Sequence, residues 1–303
     1  MINGFVVIDK PAGITSHDVV SRVRRILGTR KVGHTGTLDP FATGVLPVAV
    51  NAGTKAIPFL DEGIKCYEAI MQLGVSTDTQ DMTGSVVREA DWLAISREEV
   101  ESVLKQFTGP LTQTPPMYSA IKQDGQPLYK LARQGQTVER AAREIDIHSL
   151  ELLSFAPPLV CFRVVCSRGT YVRTLADDMG EKLGCGGALK ELRRIASGPF
   201  DISASVTLEG LEEAARCGTI ETLSVSPYAA LSHLPDILLN ESGLALVRHG
   251  RSPEWHGTET PVPPACDDGA LVRLTLNRTL IAVAECRLSG DGVPRIVLKR
   301  VFV

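Results

Sequence analysis

Apolar and polar positions along the chain repeat with two periods, and each predicts an element. Phe5-Val-Val-Ile8 is a short apolar run closed by Pro11-Ala-Gly13, which reads as a strand and a turn. A period near 3.6 follows: Val19, Val20, Val23, Ile26 and Leu27 form one stripe, leaving Arg22, Arg24 and Arg25 off it. Thr15 and Asp18 have capping-box-like spacing and Gly28 fits the stop, so a helix is predicted from 15 or 16 onward. Strand-like alternation recurs at 67–73 and 159–166. Short helices are predicted at 97–107 and 128–133, and another follows Arg168-Gly-Thr-Tyr-Val-Arg173 and stops at Gly184. Residues 190–194 read as a basic stretch ending in the loop Ser197-Gly-Pro.

From about residue 231 the texture changes. A helix at 241–249, stopped by Gly250, leads into a proline-rich loop, and three β-rich runs follow at 271–276, 280–286 and 295–303. Asn277-Arg278 and Ser289-Gly-Asp-Gly292 are the expected turns between them. The pattern predicts a large domain over 1–230 and a small β-rich unit over 231–303. Residues 109–144, rich in proline and basic groups, read as an excursion suited to lie against RNA, or as a plain surface lobe.

Composition narrows the classes. With 44% hydrophobic and 22% charged residues, the chain is neither disordered nor, lacking any long apolar run, built of membrane-spanning helices. MINGFVVIDKPAG has no basic leader and meets Asp9 and Lys10 at once, unlike a signal peptide. Seven scattered cysteines without a C-x-x-C pair predict a cytoplasmic protein without a structural zinc, with Cys161 and Cys166 packed in the core. The net charge of −3 hides a segregation: residues 1–35 carry six basic and two acidic groups, residues 61–101 three and ten. A basic face on an acidic molecule is thereby permitted, and a polyanion feels the local field.

The densest stretch is 31–47, Lys-Val-Gly-His-Thr-Gly-Thr-Leu-Asp-Pro-Phe-Ala-Thr-Gly-Val-Leu-Pro, whose glycines and prolines exclude a helix or a central strand through its middle. Zinc-protease, phosphate-loop, dinucleotide and nucleophile-elbow patterns are missing from the sequence. What remains is a carboxylate in a rigid loop, Asp39, and a Tyr-x-Arg unit at Tyr171 and Arg173. A nucleophilic or basic carboxylate must be ionised and held, and a guanidinium does both. Aromatic rings such as Tyr67 and Tyr171 can stack on an unpaired base. An aspartate before proline is also a common turn opener, and an arginine can simply cap structure.

Residues 4–53 closely resemble the opening of the bacterial tRNA pseudouridine synthase B family, with Gly33-His-Thr-Gly-Thr-Leu-Asp-Pro40 intact. The resemblance continues through Tyr67-Glu-Ala, Thr77-Asp-Thr-Gln-Asp81, Pro115-Pro-Met-Tyr-Ser-Ala120, Gly169-Thr-Tyr-Val-Arg-Thr-Leu-Ala-Asp-Asp178 and Leu192-Arg-Arg194. It implies an α+β fold around a mixed, mainly antiparallel sheet, followed by a small β-rich PUA-like domain. It implies Asp39 as the catalytic aspartate, Arg173 as its ion-pair partner and Tyr67 as the ring against the target base. His34, Tyr171 and Leu192 fall where the family shapes the pocket. It also implies the T-arm of tRNA as partner, the uridine at position 55 as target, and no cofactor or metal.

On that reading the uridine is flipped from the stack. The Asp39 carboxylate then acts at ribose C1′ or through a glycal starting at C2′, and both routes stay open. Arg22, Arg24, Arg25, Lys31, Lys130, Arg133, Arg193 and Arg194 are the expected RNA contacts, gathered on one face around Asp39. The chain is expected to act as a monomer without an obligate protein partner or a membrane. Two alternatives accompany this reading: a synthase for another RNA stem-loop, and an RNA-binding or tRNA-folding protein with secondary catalysis.

Overall fold

The computed structural model describes residues 2–61, 63–123, 125–259, 267–288 and 294–303. Among them, a ten-stranded sheet has at one end β14 (Ser224–Val225), β1 (Gly4–Lys10), β3 (Thr43–Val50) and β12 (Gly187–Ser197) in that order. It continues through β4 (Ile64–Leu73), β11 (Leu159–Ser167), β10 (Arg143–Ala156) and β7 (Gly109–Gln113). Two short strands complete it: β2 (Val32–His34) on β3 and β13 (Phe200–Asp201) on β12. Only the β3–β12 pairing is parallel. Ribbons β5 (Val75–Thr77) with β6 (Val86–Glu89), and β8 (Lys122–Gln123) with β9 (Gln126–Pro127), stand off the sheet. Strands β15 (Asp236–Leu238), β16 (Leu271–Leu276), β17 (Thr279–Leu288) and β18 (Pro294–Val301) make a second sheet.

Helices are α1 (Ser16–Leu27), α2 (Arg97–Gln106), α3 (Leu128–Arg133), α4 (Val172–Lys182), α5 (Leu208–Cys217), α6 (Pro227–Ala230) and α7 (Glu241–Arg248). None among the described residues is long and apolar enough to cross a membrane. The caps of α1 follow the sequence: Thr15 and Asp18 close a capping box, and Gly28 ends the helix at φ 62°. Asn277 and Arg278 both take left-handed conformations (φ 49° and 59°), as a two-residue hairpin turn of type I′ requires. The turn expected at 289–292 and Cys266 lie outside the described residues.

Strand alternation sorts the core onto two faces of the large sheet. Val6 and Ile8 of β1 point to the front and share one core with Val20 of α1, Met179 of α4 and Leu211 of α5. Phe5 and Val7 point to the back and pack with Val45, Phe200, Leu231, Leu280 and Val283. The expected boundary at 230/231 therefore runs through a shared hydrophobic cluster.

Two strands depart from the sequence reading. Pro47 lies inside β3, paired with Val7, although proline is ill suited to a sheet interior. Its carbonyl accepts the Thr35 N–H, on the side where β3 changes partner from β12 (residues 43–44) to β2 (48–50), so the missing N–H costs no ladder bond. The basic stretch 190–194 is part of β12, a central strand with a register shift between Leu189 and Glu191. Of the cysteines expected in the core, Cys166 is buried but Cys161 is half-buried, because the two sit on opposite faces of β11.

Candidate active site

Asp39 sits in the loop 35–42 between β2 and β3, and buried groups fix that loop from several directions. The Ser16 hydroxyl at the start of α1 accepts the Leu38 N–H (2.9 Å) and donates to the Leu38 carbonyl (3.2 Å). Lys10, fully buried, donates its ammonium to the carbonyls of Pro11, Ile14 and Pro40 at 2.9, 2.7 and 3.1 Å. Arg194, 1% exposed, donates to the carbonyls of Val45 (2.7 Å), Gly36 (3.1 Å) and Thr37 (3.4 Å). Gly44, at φ 98°, lets these strands meet: a Cβ there would stand 2.2 Å from the Arg194 carbonyl oxygen.

The carboxylate presented by this loop meets Arg173 on the first turn of α4. Arg173 is 3% exposed; its Nε donates to Asp39 Oδ2 (2.9 Å) and its Nη2 to Oδ1 (3.2 Å). The remaining donors go to the carbonyls of Thr79 (Nη1, 2.8 Å) and Tyr118 (Nη2, 2.7 Å), and Asp81 lies 3.7 Å from Nη1. A planar fork with four of its five N–H donors hydrogen-bonded is held in one orientation, and it imposes that orientation on Asp39.

The loop that supplies Thr79 and Asp81 is itself pinned to α4. Gln80, at φ 63°, accepts from the Thr174 hydroxyl and donates to Asp177, both at 2.7 Å. Asp81 accepts from the Thr79 hydroxyl (3.0 Å) and the Thr83 N–H (2.9 Å).

Burial raises the Asp39 carboxyl above its ordinary 3.8; Arg173 opposes this, Asp81 adds to it and Lys10 opposes it. The side chain is still about one-third exposed (32%), so a substrate can reach it. Burial lowers the Lys10 ammonium to about 8, against the pull of Asp39 and with the push of Arg194. Burial also raises the Tyr67 phenol, despite Arg194 beside it, so that side chain is neutral at physiological pH.

Tyr67 on β4 is Arg194's cross-strand partner and feels the charge of Asp39, which puts the ring on the Asp39 side of the sheet. Leu192, buried on β12, belongs to the same front core. His34 is half-buried on β2, opposite Val48. Tyr171 caps the N-terminus of α4 directly beside Arg173, its ring stacked 4.9 Å from the Arg143 guanidinium.

The expected ring of RNA-binding cations needs correction. Arg194 points into the core and its guanidinium is spent on carbonyls, so it offers no surface charge. Arg193, the next residue on a strand, faces the opposite side, where it pairs with Asp9 at 2.7 Å. Arg24 is half-buried and holds the Val32 carbonyl (2.9 Å). Arg22, Arg25, Lys31, Lys130 and Arg133 are exposed.

The sequence reading missed Lys10, the inward role of Arg194, and Asp81. The signal for Asp81 was present in Thr77-Asp-Thr-Gln-Asp81, whose acidic, turn-rich character resembles a solvated loop. A lysine at the end of an apolar strand and an arginine in a basic run give no hint of burial.

Comparison with known proteins bears on this geometry. Residues 24–172 match the model for the TruB family pseudouridylate synthase N-terminal domain, and residues 173–228 the tRNA pseudouridylate synthase B C-terminal domain. The chain is 54% identical to tRNA pseudouridine synthase B of Geobacter sulfurreducens over 307 residues, covering 99% of this chain and 100% of that one. It is 52% identical to the protein of the same name from Geotalea uraniireducens, covering 99% and 98%. Among solved structures, a Cbf5–Nop10–Gar1 complex matches with a TM-score of 0.76 and 28% identity over 99% of this chain and 85% of that one. An H/ACA RNP bound to a substrate RNA containing 2′-deoxyuridine matches with a TM-score of 0.76 and 26% identity, covering 99% and 85%.

Proposed function

The chain belongs to the TruB family of pseudouridylate synthases, and on that basis we propose that it isomerises the uridine at position 55 in the T-loop of tRNA, with Asp39 as the catalytic carboxylate. The observation that carries the assignment to Asp39 is the two-pronged Arg173 contact on a carboxylate that is still one-third exposed. Reaction begins with a base flipped out of its stack, at an unstacking cost of a few kcal/mol. The ionised Asp39 then attacks C1′ or removes a proton at C2′. The bond from C1′ to N1 breaks, the uracil turns, and C5 bonds to C1′; C5 loses its proton and N1 gains one.

Tyr67 serves as a neutral ring against the turning base, and Leu192, Tyr171 and His34 line its space. The buried side chains Tyr67 of β4, Leu192 of β12 and Arg173 of α4 shield the free uracil from water between the two bonds. Exposed Arg22, Arg25, Lys31, Lys130 and Arg133 supply phosphate contacts, and the 231–303 unit serves as a PUA-like grip. The substrate being tRNA, the enzyme works in the cytoplasm, as a monomer without an obligate protein partner.

The direct test is to incubate the purified chain with an unmodified tRNA transcript and map pseudouridine at every uridine. Product at position 55 alone is expected. Product at another stem-loop, or binding without product, overturns the reading in favour of a different RNA target or an RNA-binding protein.

A further inference from the structure

The excursion 114–142 leaves the sheet at the end of β7 and returns at the start of β10. Its two feet stand side by side, because Gln113 and Arg143 are register partners. Both feet grip the same short segment, the two or three residues that precede α4. Gln113, 3% exposed, takes the Tyr171 N–H on Oε1 (2.8 Å) and donates Nε2 to the Tyr171 carbonyl (3.1 Å), as a neighbouring strand would. Arg143 donates Nη2 to the Gly169 carbonyl and lays its guanidinium on the Tyr171 ring. Two residues further on, Arg173 binds the Tyr118 carbonyl, which belongs to the excursion, with the same Nη2 that holds Asp39.

The excursion is thus tied at three points to the segment 169–173, at its two feet to Gly169 and Tyr171 and from within to Arg173 itself. Neither foot needs to touch RNA to matter. A change in how the excursion sits would pull on Tyr171 and on the first turn of α4. The Arg173 fork has little slack to absorb such a shift, since four of its five N–H donors are hydrogen-bonded and the fifth is on the side of Asp81.

We propose that Gln113 and Arg143 are positioning residues that couple the seating of the 114–142 excursion to the orientation of Tyr171 and of the Arg173–Asp39 pair. The inference rests on the reading of the chain as a pseudouridine synthase. Their contribution then falls on the rate of the chemical step and not on affinity. A misplacement of about 1 Å at a reacting group costs about 100-fold in rate, and that is the expected loss for Gln113→Ala and for Arg143→Met. Affinity for the tRNA transcript should stay within about threefold, the signature of an interaction expressed only in turnover. Arg143→Lys keeps a cation over the ring and one donor for Gly169, so it should recover most of the rate.

The experiment measures single-turnover pseudouridine formation, tRNA affinity and thermal melting on the full-length chain for each variant. Gln113→Glu serves as an isosteric change: it keeps the acceptor for the Tyr171 N–H and sets a carboxyl oxygen, in place of a donor, against the Tyr171 carbonyl. An unchanged rate in Gln113→Ala and Arg143→Met overturns the proposal. So does a loss of affinity that matches the loss of rate, which would mark direct RNA contacts. A variant that melts early, yet turns over normally once cooled well below its melt, shows a purely structural role and overturns it as well. If Gln113→Ala and Arg143→Met do not fold, Gln113→Glu and Arg143→Lys decide the matter. A slowed Gln113→Glu beside a near-normal Arg143→Lys supports the proposal, and normal rates in both overturn it. Wild-type protein that forms no product in the same assay overturns the functional reading beneath, whereas active wild type with unaffected variants overturns this inference alone.

Discussion

Asp39 and Arg173 touch each other, yet removing one should act on stability in the opposite sense to removing the other. Because burial raises the Asp39 carboxyl above 3.8, the folded chain holds more protons than the unfolded chain between 3.8 and the raised value. Stability therefore falls as pH rises through that window, and at neutral pH the ionised Asp39 carries its full cost. Asp39→Asn removes the cost. Arg173 still has the Thr79 and Tyr118 carbonyls and Asp81 nearby, and the Asn carbonyl oxygen can accept one of the two lost bonds. The variant should melt at or above the wild-type temperature. Arg173→Met instead leaves Asp39 and the buried Asp81 without their cation, and losing one partner of a buried pair costs about 3–5 kcal/mol. With an unfolding entropy of about 2.1 cal/mol/K per residue, a chain of 303 residues shifts by about 1.6 °C per kcal/mol, so the melt should drop by roughly 5–8 °C. Differential scanning calorimetry at neutral pH reads both. An Asp39→Asn protein destabilised as much as Arg173→Met would overturn this expectation, because Asp39 would then be a structural ion and not a strained functional one.

Turnover measured against pH should show an acid limb above the ordinary aspartate range, set by Asp39, and an alkaline limb near 8, where the Lys10 ammonium that holds Pro40 loses a proton. An acid limb at or below 3.8 contradicts the burial argument. Arg194→Met should leave the carbonyls of Gly36, Thr37 and Val45 without a donor, at about 1–3 kcal/mol each, and should destabilise the chain with no selective loss of tRNA affinity. Weakened binding at wild-type stability would return Arg194 to the RNA surface. Truncation after residue 230 uncovers Phe5, Val7, Val45 and Phe200, each worth about 1.5–3 kcal/mol when buried, so aggregation or a sharply lowered melt is expected. A soluble truncation with the wild-type melt and weaker binding would show a detachable RNA grip. Replacing Arg22 and Arg25 with alanine should flatten the slope of log affinity against log salt by about 0.9 per lost duplex contact, with the modified uridine unchanged.

What the sequence made legible was local chemistry. The capping box at Thr15 and Asp18, Gly28, and the Asn277-Arg278 turn are short-range signals, and each stands where the pattern put it. Asp39 and Arg173 are 134 positions apart; the motif resemblance named both, and the sheet order then accounts for their meeting. What stayed hidden depends on long-range burial. Arg194 looks like a surface cation because nothing nearby in sequence announces the carbonyls of Gly36, Thr37 and Val45, and Lys10 does because Pro40, thirty positions on, closes the cage that Pro11 and Ile14 begin. β12 looked like a basic surface segment because its charges are split between a core position, Arg194, and a back-face ion pair, Arg193 with Asp9. The shared cluster of Phe5, Val7 and Leu280 joins residues more than two hundred positions apart, so a change of texture at 231 could not reveal that the core runs across it.

Asp39 is held here to carry out isomerisation and not merely to help bind RNA. Because C5 loses its hydrogen when it bonds to C1′, release of tritium from tRNA labelled at C5 of uridine reports the completed reaction. The measurement compares wild-type protein with Asp39→Asn under single-turnover conditions, with tRNA affinity determined alongside. Stoichiometric release by the wild type and none by the variant is expected, with affinities agreeing within about tenfold, roughly 1.4 kcal/mol. Release by Asp39→Asn at a near-normal rate, or a loss of release fully explained by lost binding, would contradict a catalytic role for this carboxylate.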